Sequence, residues 1–508
     1  MRPLSKSKLI AFRQCPKRLW LEIHRPELRE DSAATLASFA MGHSVGDIAR
    51  QLYDPLQTGV LLDAQRDGFG VTFQRSRDLL ASEQPIFEAG FAIEGALAFA
   101  DVLLPGQVAG QRVWHMIEVK SSTSVKDYHR DDLAVQAFIA RTAGVPLATV
   151  ALAHIDNQFV YAGNGDYRGL LKEHDLTAEA FAREDEVRAW LHAAHAVAAQ
   201  DSAPDIATGE QCGTPFACGF YDYCHAEEPQ ATYPVDWLPR IQSAPLRDFI
   251  AAHPALDLRD TPDELLNELQ LRVKHCTLSN QVYFDAPAAA AALAGQTLPA
   301  YFLDFESIQF AVPRWVGTRP YQQIVFQFSL HRLNADGKLD AAAFLDLSGD
   351  DPSSALADAL VNACGEIGPV YVYNAGFEGA RISELAERFP AQAAALRAIR
   401  QRLVDLLPIT RAHYYHPSQH GSWSIKSVLP AIAPDLSYAA LDGVQNGGLA
   451  MEAYLEAVHP DTSDQRQQEI RQQLLAYCGL DTLAMVRLWQ FLSGRHDIQC
   501  EVQHAQTT

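Results

Sequence analysis

The stretch Val113-Trp-His-Met-Ile-Glu118-Val119-Lys120 reads as a β-strand that ends in two opposite charges. Residues two apart on a strand share a face, so Glu118 and Lys120 project together while Val119 packs behind them. An earlier apolar run, Phe91-Ala-Ile-Glu-Gly-Ala-Leu-Ala-Phe-Ala-Asp101-Val-Leu-Leu, carries an acid near its end. Pairing of the two runs would set Asp101 beside the Glu118 and Lys120 pair. Two carboxylates and an ammonium at one sheet end suit phosphodiester hydrolysis, with the acids holding a divalent ion and the lysine steadying water or developing charge. The ordinary alternative is an edge strand decorated with charge, which discourages edge-to-edge pairing.

Outward from that strand, cysteines bracket the segment. Cys15 lies far upstream, and Cys212, Cys218 and Cys224 form a compact triplet downstream. The 508 residues open without the long apolar run of a secretion signal, and no stretch is long enough to span a bilayer. A cytoplasmic protein with no membrane partner is expected. In that reducing compartment clustered cysteines read first as metal ligands, so the four thiols would clasp the segment around a metal or an iron–sulfur cluster. His225 stands next to Cys224, and zinc held by four thiolates, or by three and an imidazole, uses the same ligands. The scattered Cys276, Cys364, Cys478 and Cys500 read as buried thiols.

A net charge of −21 argues against a protein that coats nucleic acid non-specifically. Residues 1–18 run against the average, with Arg2, Lys6, Lys8, Arg13, Lys17 and Arg18 and no acid. They predict a basic, partly helical patch around Cys15; a solvated helix face is the ordinary reading of such a run.

Three zones follow. Residues 1–228 pass from helical patterning through the strands and back to helices. Residues 229–296 are proline-rich with short helical stretches and an alanine run, and read as a connector. Residues 297–508 open on Tyr301-Phe-Leu-Asp304-Phe-Glu306, which places two carboxylates on one face of an apolar strand. Buried and unpaired they would be costly, and cation coordination is the usual resolution. Val370-Tyr-Val-Tyr-Asn374-Ala-Gly-Phe-Glu378 runs from a strand into a helix, with Asn374 as cap and Glu378 near the first turn. A helix over 467–492 stacks Tyr477 and Asp481 on the face of Ile470, Leu474 and Met485. Alternating strands and helices indicate the α/β class.

Residues 5–228 resemble the PD-(D/E)xK superfamily, specifically RecB-like nucleases related to CRISPR-associated exonucleases and to the nuclease domain of AddB. The resemblance rests on Gly42-His43, Asp101, Glu118-x-Lys120, Gln136 and the cysteine bracket. It implies a restriction-endonuclease-like core in which His43, Asp101, Glu118 and the Val119 carbonyl bind metal, Lys120 is the catalytic lysine, and Gln136 positions substrate or water. It also implies a [4Fe–4S] cluster at Cys15, Cys212, Cys218 and Cys224, although the two equal gaps in the triplet depart from the uneven spacing of those relatives. Residues 298–495 resemble DnaQ-like, RNase H-fold exonucleases of the DEDD type, tyrosine subgroup, through Asp304-x-Glu306, Glu378 and Tyr477-x-x-x-Asp481. Here Glu378 stands where the family carries Asp. Asp405 and the segment Ser422-Trp-Ser-Ile-Lys426-Ser fall where such enzymes often have accessory motifs. The implied activity is Mg²⁺- or Mn²⁺-dependent hydrolysis of DNA, with single strands favoured, in repair, recombination or defence, alongside a helicase or similar partner. Action on RNA, or a nucleic-acid-binding scaffold with degenerate sites, are the alternatives.

Overall fold

A computed structural model describes residues 3–253, 255–495 and 502–503, so Cys500 lies outside the described residues. The chain forms two α/β units, Met1–Glu228 with Gln309–Gln322, and Pro229–Ile308 with Gln323–Thr508.

The first unit is built on a seven-stranded mixed sheet. Strands β1 (Ile86–Ile93), β2 (Ala96–Val108) and β3 (Gln111–Lys120) form an antiparallel meander. The run from Phe91 to Leu104, one strand in the sequence reading, is therefore a hairpin. Gly95 turns it at φ 80°, a left-handed conformation that glycine adopts without Cβ strain. Strand β4 (Leu147–Ile155) pairs parallel to β3, and β5 (Leu171–Asp175) antiparallel to β4. Because β3 lies inside the sheet, its terminal charges do not decorate an edge.

Helices α1 (Lys6–Gln14) and α2 (Pro16–His24) meet at Cys15, whose extended backbone (φ −160°) ends one and starts the other. Pro16 holds the first position of α2, where a missing N–H costs nothing. Helix α3 (Ala33–Tyr53) carries His43, and α4 (Asp127–Thr142) buries Leu133, Ala134, Ala137 and Phe138 against the sheet. Residues 309–322 complete this unit: Ala311 joins Val45, Ile155 and Leu170, and the Tyr161 N–H donates to the Thr318 carbonyl at 3.0 Å.

The second unit has a six-stranded sheet. Strands β6 (Ala300–Ile308), β7 (Ile324–Leu333) and β8 (Leu339–Leu345) are antiparallel, while β9 (Val370–Val372) pairs parallel with both β6 and β10 (Leu403–Asp405). The order is β10-β9-β6-β7-β8, with Val502–Gln503 beyond β8. Helix α5 (Ala375–Arg388) follows β9, and α6 (Asp464–Ser493) packs across β6 and β7. Its register is pinned by a buried polar bridge in which Thr482 Oγ1 lies 2.8 Å from both Ser329 Oγ and His331 Nδ1.

The segment expected as a connector belongs to this second unit. Its Leu246, Leu258, Val273 and Ala289 share one core with Phe302, Tyr371 and Trp489. The prolines thus punctuate short packed helices, which need frequent breaks to cover a sheet, instead of marking a free linker. Among the described residues no helix is long and apolar enough to cross a membrane.

Candidate metal centres

The meander sets the first centre. The antiparallel register of β2 and β3 brings Asp101 against the end of β3, where its Oδ2 accepts the Val119 N–H at 2.7 Å. Glu118 is 2% exposed and accepts three donors: Lys120 Nζ at 2.6 Å and Lys6 Nζ at 2.8 Å on Oε1, and Gln136 Nε2 at 2.5 Å on Oε2. Both lysines also reach Asp132 Oδ2, Lys120 at 2.6 Å and Lys6 at 3.3 Å. Burial alone would raise the Glu118 carboxyl, but the Lys120 and Lys6 charges outweigh it and hold it well below the usual range. Asp101 goes the other way, pushed up by burial and then by the Glu118 charge. Gln136 Oε1 is buried without a hydrogen-bond partner.

The structure thus brings Asp101, Glu118, Lys120 and Gln136 together. His43 does not join them by hydrogen bond: it lies on the exposed face of α3 and reaches the acids only through the field it shares with Glu88 on β1. Lys6 and Asp132 are site residues that the sequence reading missed. Asp132 was legible, since it stands four residues before Gln136 on one face of α4. Lys6 was counted only as part of the basic patch, several of whose described members are engaged by partners within the unit, while Arg2 lies outside the described residues. Arg13 pairs with Asp131 at 3.3 Å, Arg18 with Glu22 at 3.0 Å, and Lys8 Nζ donates to the Glu22 carbonyl at 3.2 Å.

Cys15, Cys212, Cys218 and Cys224 line one small pocket with Arg18, Leu21 and Phe220. The bracket therefore closes in space. Gln14, next to Cys15, clamps the triplet loop by donating from Nε2 to the Gln211 and Phe216 carbonyls, each at 2.7 Å. Burial raises the Cys218 thiol and pushes Cys224 up to about 11, so both stay neutral unless a cationic centre draws off their protons. Four thiols on one cavity fit a metal or cluster on that ground. His225 is not among the lining residues; its ring stacks on Tyr221 with centroids 5.3 Å apart. Of the scattered thiols, Cys364 and Cys478 are fully buried and Cys276 is half-buried.

The third centre lies on β6 and α6. Asp304, Glu306 and Asp481 each offer a ligand atom within 4.8 Å of the others. Strand β6 is internal, so these are not wet edge acids; Glu306 and Asp481 are 8% and 7% exposed. Burial, then the Asp481 charge, pushes Glu306 up to about 8 and Asp304 well above its ordinary value, while Asp481 rises to about 6. Such a cluster holds protons until a cation replaces them.

Around it stands a cationic and phenolic wall. Tyr438 Oη donates to Asp481 Oδ1 at 2.6 Å. Lys426 Nζ donates to Tyr477 Oη at 3.0 Å and sits 5.0 and 4.8 Å from the ring centroids of Tyr438 and Tyr477. Cys478 Sγ lies 3.8 Å from Asp304 Oδ2. Tyr438 carried no motif signal, because a tyrosine in a loop is unremarkable until its partner is known.

Glu378 is buried in the first turn of α5 and outside the three-acid group, with Oε2 unpartnered and its carboxyl pushed up to about 8 by burial. It is near enough for its charge to raise Asp304. Asn374 takes the cap position of α5, yet its side chain caps nothing. Asp405 does that work, accepting the N–H groups of Asn374 and Ala375 at 3.0 Å each and of Leu407 at 2.9 Å. Its carboxylate ties β10 to two helix starts, which is a structural duty. No curated protein matches the chain. Residues 301–424, which hold Asp304, Glu306, Glu378 and Asp405, match the family model described as a domain of unknown function (DUF2779).

Proposed function

We propose that the chain is a divalent-metal-dependent nuclease with two active centres, one at Glu118 and Lys120 and one at Asp304, Glu306 and Asp481. The observation that carries this reading is the convergence of three carboxylates on an internal strand and a buried helix face. Nothing in packing calls for acids there, and their mutual repulsion is a standing cost that a divalent ion removes. The acid-bearing strand β6 lies inside the order β10-β9-β6-β7-β8, with β7 antiparallel to it, so its carboxylates are not edge charges.

Bound Mg²⁺ or Mn²⁺ would polarise phosphate and water in either centre. In the first, Asp101 and Glu118 would be the ligands and Lys120 would steady the attacking water, while Gln136 orients Glu118 through Oε2. In the second, Tyr438 holds Asp481, and Tyr477 presents a protonated hydroxyl toward the substrate phosphate, since burial and the neighbouring acids raise its pKa. DNA is the proposed substrate, single strands favoured, in the cytoplasm beside a repair or defence partner. At the cysteine site the four thiols would hold a [4Fe–4S] cluster, with zinc as the alternative that uses the same ligands.

The position of Glu378 outside the acid group supports a second reading, in which the C-terminal centre binds nucleic acid without cutting it. End-labelled single-stranded DNA, duplex DNA and RNA, incubated with Mg²⁺ or Mn²⁺, separate the two. Wild type should yield products that lose one ladder in Lys120→Ala and another in Asp304→Ala. Unchanged digestion by Asp304→Ala supports the binding role, and no cleavage by wild type refutes the nuclease.

A further inference from the structure

The first centre contains two lysines where its chemistry needs one. Lys6 Nζ and Lys120 Nζ converge on the same Glu118 oxygen, at 2.8 and 2.6 Å, and on the same Asp132 oxygen, at 3.3 and 2.6 Å. Lys120 arrives from the strand that carries Glu118. Lys6 arrives from elsewhere: it is the first residue of α1, placed by Ser5, whose hydroxyl accepts the Lys8 N–H at 3.3 Å. The last turn of that helix ends at Cys15.

One nine-residue helix, about 13 Å long at 1.5 Å per residue, therefore has an ammonium in the acidic centre at one end and a thiol of the cysteine cavity at the other. Both ends are gripped. Leu9 and Ala11 are buried in the middle, Arg13 lies 4.1 Å over the Trp190 ring, and Gln14 binds the two carbonyls of the triplet loop. The helix thus joins the two sites directly, with its packed middle between them.

We propose that Lys6 is a positioning residue that competes with the divalent ion for Glu118, and that the state of the four-cysteine site sets this competition through α1. The inference rests on reading the Glu118 centre as a metal site. An ion entering at Glu118 Oε1 competes there with both ammonium groups; Lys120 comes from β3 itself, whereas Lys6 comes from α1. With the thiols loaded, α1 is held and Lys6 stays on Glu118; with them empty, Cys15 and the triplet lose their common anchor and Lys6 loses its register. Coupling of this kind is reciprocal, so ion binding at Glu118 also weakens the hold of the cysteine site on its own occupant.

The test uses the full chain carrying Asp304→Asn and Asp481→Asn, so that Mn²⁺ affinity by titration calorimetry reports the first centre. Lys6→Met should bind Mn²⁺ about tenfold more tightly, as for loss of a competing charge near 1.4 kcal/mol, whereas Lys6→Arg should match wild type. Stripping the cysteine site with a chelator, or through Cys218→Ser, should also tighten Mn²⁺ binding, and should add nothing in Lys6→Met. Mere loosening of the fold would instead weaken binding, so weaker binding after stripping overturns the proposal. Unchanged affinity in Lys6→Met, or additive effects of the two changes, does the same. Tightening by Lys6→Met in a protein that cleaves no nucleic acid would sustain this inference and sink the nuclease; absence of Mn²⁺ binding in every variant would sink both.

Discussion

Glu306→Gln should stabilise the metal-free protein in mild alkali and weaken its response to metal. The Glu306 carboxyl is 8% exposed and pushed from its ordinary 4.5 up to about 8 by burial and by the Asp481 charge. Its folded value thus lies above its unfolded one. Between those two values the folded state holds a proton that the unfolded state has released, so stability falls as pH climbs through the window, and the loss is complete above about pH 8. At about 1.36 kcal/mol per pH unit the cost reaches on the order of 4 kcal/mol, an upper bound because Asp304 and Asp481 share the same field. Glutamine keeps the shape and never ionises. Even half of that relief, about 2 kcal/mol, moves the melting temperature by roughly 4–8 °C for a unit of this size. Thermal unfolding of the full chain at pH 8.5 in EDTA should therefore show the variant melting above wild type, with the gap closing toward pH 4.5. Added Mn²⁺ should then stabilise wild type by more than the variant, which keeps the Glu118 centre but has lost one ligand of the second. A variant that melts with or below wild type at pH 8.5 would show that Glu306 is not strained, and the case for a cation at this site would lose its physical ground.

Three further outcomes follow from the contacts. Gln136→Leu removes the 2.5 Å bond to Glu118 and the unpartnered Oε1 together; the fold should hold while cleavage by the first centre drops at least about tenfold, read from the ladder that Lys120→Ala abolishes. Tyr438→Phe deletes the 2.6 Å bond to Asp481, which should raise the Asp481 carboxyl further and weaken Mn²⁺ binding at the C-terminal centre by about tenfold in calorimetry. Arg13→Ala should change single-stranded DNA affinity less than twofold at 0.15 M salt, because its guanidinium is already shared between Asp131 and the Trp190 ring.

The α/β class and the acid-bearing strands were legible because strand periodicity puts i and i+2 on one face, and both Glu118 with Lys120 and Asp304 with Glu306 use that rule. The β2–β3 adjacency that delivers Asp101 was legible too, since consecutive strands usually pair. What failed was any feature decided by distant partners. The turn at Gly95 was hidden because the apolar pattern continues across it. The 229–296 segment looked like a linker from its prolines, and only the packing of Leu258 and Val273 against Phe302 reveals a layer of the core. Asn374 has the right residue type for a cap, but its left-handed backbone, φ 86°, turns the task over to Asp405, 31 residues away. Lys6 and Tyr438 show the same limit at the sites, for a lysine in a basic run and a tyrosine in a loop gain meaning only from the carboxylate each one meets.

The two acidic centres solve one electrostatic problem in opposite ways, and the difference is measurable. In the first, Glu118 and Asp132 are neutralised by Lys6 and Lys120, so an entering cation displaces ammonium groups that keep their protons. In the second, Lys426 is the cation nearest Tyr477, and the acids are neutralised by protons that the cation must expel. At pH 7 a carboxyl with a value of about 8 is roughly nine-tenths protonated, and Asp304 is raised as well, so filling the second centre should release protons. Filling the first should release fewer, since Asp101 is the raised one of its two carboxylate ligands, and Glu118 is held low by the lysines. Calorimetry of Mn²⁺ binding in two buffers of different ionisation enthalpy reads these numbers directly, with Lys120→Ala and Asp304→Asn assigning each phase. Affinity of the second centre should then climb steeply from pH 6 to 8, since fewer protons remain to be expelled, and climb less at the first. Equal proton release and parallel pH slopes would mean that the lysines do not neutralise the first centre in solution, which would also remove the ground for a competing Lys6.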